Sequence, residues 1–157
     1  MGLIRWSVVA GILVAAAACG DSTAPESSAR FGDIRLTAAA SSREVASGSP
    51  LTFHVELVNE GSSAMTLHFG DSCQIVATMQ NALGQTVISS GACLTVLTQL
   101  TLAPGQPVVK EYVWAGGSTA FQPGEPPPSL PAGSYFFTVK VPANEASLSV
   151  TIQVTLR

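Results

Sequence analysis

The chain reads as an all-β sandwich, on three observations. Short runs alternating apolar and polar residues fill the chain from Phe31 onward, and turn residues punctuate them at regular spacing. Beyond residue 18, no apolar i, i+3, i+4 pattern persists long enough for a helix of three turns. Only 11% of the 157 residues are charged, with 14 Gly and 10 Pro. This composition excludes a coiled coil, a long helical bundle and a charged disordered chain, and the length suits one domain. A net charge of −3 with seven Lys plus Arg leaves no basic footprint for nucleic acid.

The first element is an export signal over residues 1–18. Arg5 supplies the positive start, and Val8 to Ala18 is an unbroken stretch of apolar and small residues. A membrane-spanning helix needs about 20 apolar residues, so this stretch is too short to be one. Ala16-Ala17-Ala18-Cys19-Gly20 resembles a bacterial lipobox, with Ala16 where that pattern prefers Leu. On this reading Cys19 is lipidated and becomes the mature N-terminus; ordinary signal cleavage is the other reading of the same small residues. Two acyl chains suffice for stable anchoring. Gly20 after the Cys points to the outer membrane, facing the periplasm. Residues 19–30 (CGDSTAPESSAR) read as a lipidated, flexible tether, which makes residues 31–157 the domain.

Strands follow. Ile34 to Ala39 is the first, and Leu51, Phe53, Val55 and Leu57 alternate with Thr52, His54 and Glu56 in the second. Asn59-Glu60-Gly61-Ser62-Ser63 is a turn, after which Met65, Leu67 and Phe69 alternate with Thr66 and His68. Ile75 to Gln80 and Thr86 to Ser89 flank the loop Asn81-Ala82-Leu83-Gly84 as a hairpin. Thr95 to Leu102, Val108 to Trp114, Ser134 to Val141 and Leu148 to Leu156 complete the set, with Pro and Gly at the junctions Ala103-Pro104-Gly105-Gln106 and Pro131-Ala132-Gly133. About eight or nine short strands with such spacing predict a sandwich. Trp114 belongs in its core, and Tyr135 is a candidate corner tyrosine bonding to backbone. Phe136 and Phe137 point to opposite faces of one strand, so one of them is the less buried.

With Cys19 assigned to lipid, Cys73 and Cys93 remain, and an even remainder in an exported chain predicts one disulfide. Gly116 to Pro131 (GGSTAFQPGEPPPSLP) is a long irregular segment stiffened by Pro126, Pro127 and Pro128. Its Phe121 is either tucked onto the sandwich or exposed to a partner, which makes this loop the candidate partner-binding site.

The order of these features resembles a known family. The run Leu51 to Asn59, then Met65 to Phe69, Cys73, Gly84, Cys93, Leu102-Ala103-Pro104-Gly105-Gln106, Val113-Trp114 and Pro131-Ala132-Gly133-Ser134-Tyr135 resembles the BsuPI-type domain. That family is named for an intracellular proteinase inhibitor of bacilli, and the resemblance spans residues 48–142. It implies an immunoglobulin-like β-sandwich and, as one function, inhibition of a protease through an exposed loop. Export and a disulfide set this chain apart from the intracellular namesake.

The sequence carries no G-x-S-x-G, G-x-G-x-x-G, P-loop or H-E-x-x-H signature, and nothing in it calls for a cofactor. One pair suits a metal. If Leu57 lay opposite Met65 in a hairpin, His54 would lie opposite His68, with Glu56 or Thr66 near enough to add an oxygen. Solvated surface histidines are the alternative. The expectation is a noncatalytic cell-envelope lipoprotein that presents a binding or scaffold domain to an envelope protein or a protease.

Overall fold

The structure is a computed structural model, and it describes residues 24–114 and 130–157. Among them the chain forms eleven strands and no helix. In chain order these are β1 (Glu26–Phe31), β2 (Ile34–Ala40), β3 (Glu44–Val45), β4 (Leu51–Asn59), β5 (Met65–Phe69) and β6 (Val76–Asn81). They continue with β7 (Thr86–Ser89), β8 (Thr98–Leu102), β9 (Val108–Trp114), β10 (Gly133–Pro142) and β11 (Ser147–Leu156). One sheet runs β1-β2-β4-β9, the other β3-β11-β10-β6-β7, and β5 with β8 forms a separate ribbon. All pairings are antiparallel except β3 on β11.

This order is that of an immunoglobulin-like sandwich. The second, fourth and ninth strands hold the places of A, B and E, and β11-β10-β6-β7 those of G, F, C and C′. The chain leaves β2 and rejoins the opposite sheet as β3, so its leading edge serves both layers. Period-2 alternation drives the layering: β11 buries every second side chain from Leu148 to Leu156, and β4 buries Leu51, Phe53, Val55 and Leu57. Between the sheets Phe53 stacks on Phe137 with ring centroids 3.9 Å apart. Trp114 packs on Tyr135 at 5.2 Å, and the Tyr135 hydroxyl donates to the Pro131 carbonyl at 2.7 Å, a tyrosine corner. Phe137 is buried and Phe136 half-buried, as opposite faces of one strand require.

All nine predicted runs are strands. The two additions correct the boundaries. The tether expected as far as Arg30 ends sooner, because Glu26–Phe31 pairs with β2 along its whole length. Its side chains are mostly exposed, so the strand is held by its backbone ladder and leaves no apolar period to read. β3 is two residues long, too short to show any period. The strand expected from Thr95 begins at Thr98.

Register defines the two ends of the sandwich. Glu26, Ala40, Phe53 and Trp114 share one end of the first sheet, and Phe31, Ile34, Asn59 and Val108 the other. Trp114 packs on Tyr135, which pairs with Asn81 and Val154, so these mark the same end of the second sheet. Pro25 enters at this near end, its carbonyl accepting from Ala40 N–H. The far end carries Asn59, Val76, Lys140 and Leu148 with the turns that join them.

Asn59, 1% exposed, organises that far end. Its Nδ2 donates to the Ser63 and Leu102 carbonyls at 2.7 and 3.0 Å, and its Oδ1 accepts from Gly61 N–H at 3.0 Å. Its own carbonyl accepts from Gly105 N–H at 2.8 Å. Gly105 has φ +66, and at Gly61 a Cβ would stand 2.7 Å from an Asp33 carboxylate oxygen. Asn-Glu-Gly and Leu-Ala-Pro-Gly, far apart in sequence, are thus two halves of one hydrogen-bonded junction.

Candidate binding surface at the far end

The turn after Asn59 does not close a hairpin. Asn59 holds the chain toward Leu102, and β5 pairs with β8 instead of folding back on β4. β4 lies between β2 and β9, which separates the two histidines expected to meet. His54 faces Glu111 across β9, with Nδ1 3.1 Å from the carboxylate. His68 sits on the ribbon, its Nδ1 2.6 Å from Glu145 and its N–H donating to the other Glu145 oxygen at 2.9 Å. Glu56 is taken by Arg35 and Thr66 by Thr101. The His54–His68 metal site is therefore not formed.

The cysteines meet as expected. Cys73 and Cys93 are bonded, with Cα atoms 5.3 Å apart and a sequence separation of 20. Asp71 lies beside them, but with both sulfurs bonded to each other no thiolate is available to a metal. The bridge is one of several ties on the segment Gly91 to Leu97. Leu94 N–H donates to Ser72 Oγ at 2.8 Å, and Ser72 N–H returns a bond to the Leu94 carbonyl at 3.0 Å. Thr98 Oγ1 donates to the Asp71 carbonyl at 2.7 Å, Asp71 Oδ1 accepts from Cys73 N–H, and Gln74 donates to the Gln99 carbonyl. Val96 N–H closes a tight turn onto the Leu94 carbonyl at 2.8 Å.

So held, the loop exposes aliphatic side chains. Leu94 is 70% exposed, Val96 50% and Leu97 82%. Phe31, Met65 and Val109 are exposed toward the same end, so six of the eight large apolar side chains exposed among the described residues lie there. Single exposed apolar residues need no explanation, but a concentration of them on a fixed backbone marks an interaction surface.

Several charges at this end are paired within the chain, while Lys140 and Asp33 are exposed without an ion pair. Arg30 and Arg35 both bond Glu60, and Arg35 also reaches Glu56. The Glu60 carboxyl is held below its ordinary value, first by the hydrogen bond from Arg35. Glu145 is lowered too, first by the His68 backbone N–H and then by the His68 ring.

A second concavity, about 410 Å³, opens on the flank between β7 and β9. Phe53, Met79, Ile88, Tyr112, Trp114 and Phe137 line it, and burial pushes the Tyr112 hydroxyl up. Glu111 is the one carboxylate among its described lining residues, and it is tied to His54. The cleft suits an apolar group. Cys19 and the candidate loop residues Phe121, Pro126, Pro127 and Pro128 lie outside the described residues. Sequence reasoning missed this surface because Val96 and Leu97 fall within the run Thr95 to Leu102 that reads as a strand, and Leu94 was not singled out.

No family model matches the chain, and no curated protein does. Among solved structures it is similar to a β-glucosidase from Erythrobacter marinus, at 14% identity and a TM-score of 0.44, over 76% of this chain and 15% of that one. A mutant β-glucosidase from Listeria innocua in complex with laminaribiose gives 14% identity and a TM-score of 0.44, over 78% and 16%. This chain thus spans less than a fifth of those enzymes, and the likenesses bear on neither substrate nor reaction.

Proposed function

We propose that the chain is a lipid-anchored cell-envelope module, a noncatalytic immunoglobulin-like domain that binds a partner through its far end. The observation that carries this reading is the Cys73–Cys93 loop, cross-tied to the Ser72 segment, with Leu94, Val96 and Leu97 exposed. The export signal, Cys19 and the outer-membrane lean from Gly20 support the address. Fractionation of cells expressing the full chain, with mass measurement of its N-terminus, tests the anchor. A diacylated Cys19 is expected, and Cys19→Ala should move the protein out of the membrane fraction; an unmodified terminus after Ala18 would overturn the anchoring.

A second reading, proteinase inhibition as the BsuPI-type resemblance implies, is supported by the same loop. A rigid exposed segment is what a protease cleft accepts. The candidate then shifts from Gly116–Pro131 to Cys93–Leu97. Titration of serine, cysteine and metalloproteases with the mature chain should give inhibition that Leu94→Asp abolishes. Undiminished activity in all three classes removes this reading.

A further inference from the structure

We infer that Asp71 is an electrostatic guard on the Cys73–Cys93 bridge: its carboxylate repels anionic thiols, so the disulfide exchanges more readily with thiols whose reactive form carries no net charge. The bridge is open to exchange on one side, with Cys93 exposed and Cys73 half-buried. A carboxylate oxygen of Asp71 and the two sulfurs all lie within 4.8 Å of one another. Asp71 enters none of the ion pairs among the described residues, so no cation is paired with it.

The chemistry of exchange brings negative charge to this spot twice. A low-molecular-weight thiolate attacks the exposed Cys93 sulfur. A bond forms between reagent and Cys93 as the Cys73–Cys93 bond breaks, and the electron pair departs on Cys73 as its thiolate. A second thiolate then attacks the mixed disulfide, which releases the oxidised reagent and the Cys93 thiolate, and both protein thiolates take up protons from water. Charge thus approaches Cys93 and develops on Cys73, each beside Asp71. Within 4.8 Å, the repulsion of two unit charges exceeds thermal energy even at the dielectric constant of water. Reactive cysteines are stabilised as thiolates by helix N-termini or neighbouring cations. Here no helix stands among the described residues, and the Cys73 N–H is already donated to Asp71 Oδ1 at 2.8 Å.

The surrounding frame keeps the sulfurs together. Leu94 N–H donates to Ser72 Oγ and Ser72 N–H to the Leu94 carbonyl, while Ser90 N–H donates to the Ala77 carbonyl at 2.8 Å. A freed Cys73 thiolate therefore stays within reach of the mixed disulfide on Cys93 and expels the reagent, which restores the bridge. Guard and frame together keep the loop closed against anionic thiols, whatever partner the loop meets.

The test reduces the full chain, isolated from cells, with three thiols. The thiolate of glutathione is the most negative, that of 2-mercaptoethanol less so, and the ammonium of cysteamine offsets its thiolate. Alkylation of the freed thiols, mapped by mass at Cys73 and Cys93, gives the rates. Asp71→Asn keeps an oxygen for the Cys73 N–H and removes the charge. Relative to wild type with the same thiol, it should speed reduction roughly fivefold for glutathione at low salt, less for 2-mercaptoethanol and least for cysteamine. In wild type itself, added salt should speed reduction by glutathione more than by cysteamine, a readout that needs no variant. The first mixed disulfide should map to Cys93. Unchanged rates in Asp71→Asn, an acceleration independent of thiol charge, a wild-type glutathione rate that salt does not raise, or a first adduct on Cys73 overturns the inference.

Discussion

Replacing Asn59 with alanine should unfold the domain at a markedly lower temperature, although Asn59 touches neither the exposed loop nor the flank cleft. The substitution deletes three side-chain hydrogen bonds, to Ser63, Leu102 and Gly61. A net contribution of about 1 kcal/mol each gives a loss of about 3 kcal/mol, and leaving the Leu102 carbonyl without this buried donor adds to it. In a domain of this size about 1 kcal/mol moves the midpoint by about 4 °C, so a drop of about 12 °C is expected. Urea titration and thermal unfolding of the mature chain measure both quantities. Asn59→Asp is the informative comparison. It keeps the acceptor for Gly61 N–H but turns a carboxylate toward the Ser63 and Leu102 carbonyls, so its loss at neutral pH should exceed that of alanine and shrink in acid. A loss below about 1 kcal/mol for Asn59→Ala, or an Asp variant as stable as wild type, would refute the claim that this junction closes the far end.

Other substitutions have equally definite outcomes. Cys73→Ala/Cys93→Ala should cost on the order of 3 kcal/mol from the closed loop, and reductant should destabilise wild type to the same extent while leaving the double variant unmoved. Glu60 and Glu145 have lowered carboxyl values in the fold, so their contribution is present above the ordinary 4.5 and is lost as pH falls below it. Glu145→Gln should accordingly flatten part of the acid limb of a stability–pH curve; an unchanged limb counts against the His68 contact. Lys110 stands opposite Val55 on the inward phase of edge strand β9, a charge placed against strand-to-strand association. Lys110→Val should produce concentration-dependent oligomers in sedimentation, and a strictly monomeric variant would show that another feature protects the edge.

Much of this fold was legible because β4, β10 and β11 bury every second side chain, and that period is written locally. Trp114 and Tyr135 were legible for a related reason: a large ring at the end of an alternating run has one apolar place to go, and a Tyr after Pro-x-Gly has backbone within reach of its hydroxyl. β1 was not, since its mostly exposed side chains leave no apolar period to read. Val96 and Leu97 were misread as strand residues because alternation states which side chains share a face and not whether anything covers that face. Segments that carry the family resemblance proved structural in their contacts. Asn59, Gly61, Leu102 and Gly105 build one junction, and Pro131 with Tyr135 builds the corner. A resemblance carried by such residues speaks for architecture first, which is why the functional reading rests on the loop.

By itself the sequence determined the sandwich class and, with Cys73 and Cys93 the pair left once Cys19 is set aside, the disulfide. Each follows from local pattern or from counting. Only the tertiary structure decided that β4 neighbours β9 and not β5, that His54 and His68 face different glutamates, and that the aliphatic loop lies at the end away from Pro25. Strand neighbours are chosen among segments tens of residues apart by which pairing fills the core and satisfies the buried polar groups at once. Here buried Asn59, bonded to Leu102, carries the chain off β4 and into the ribbon.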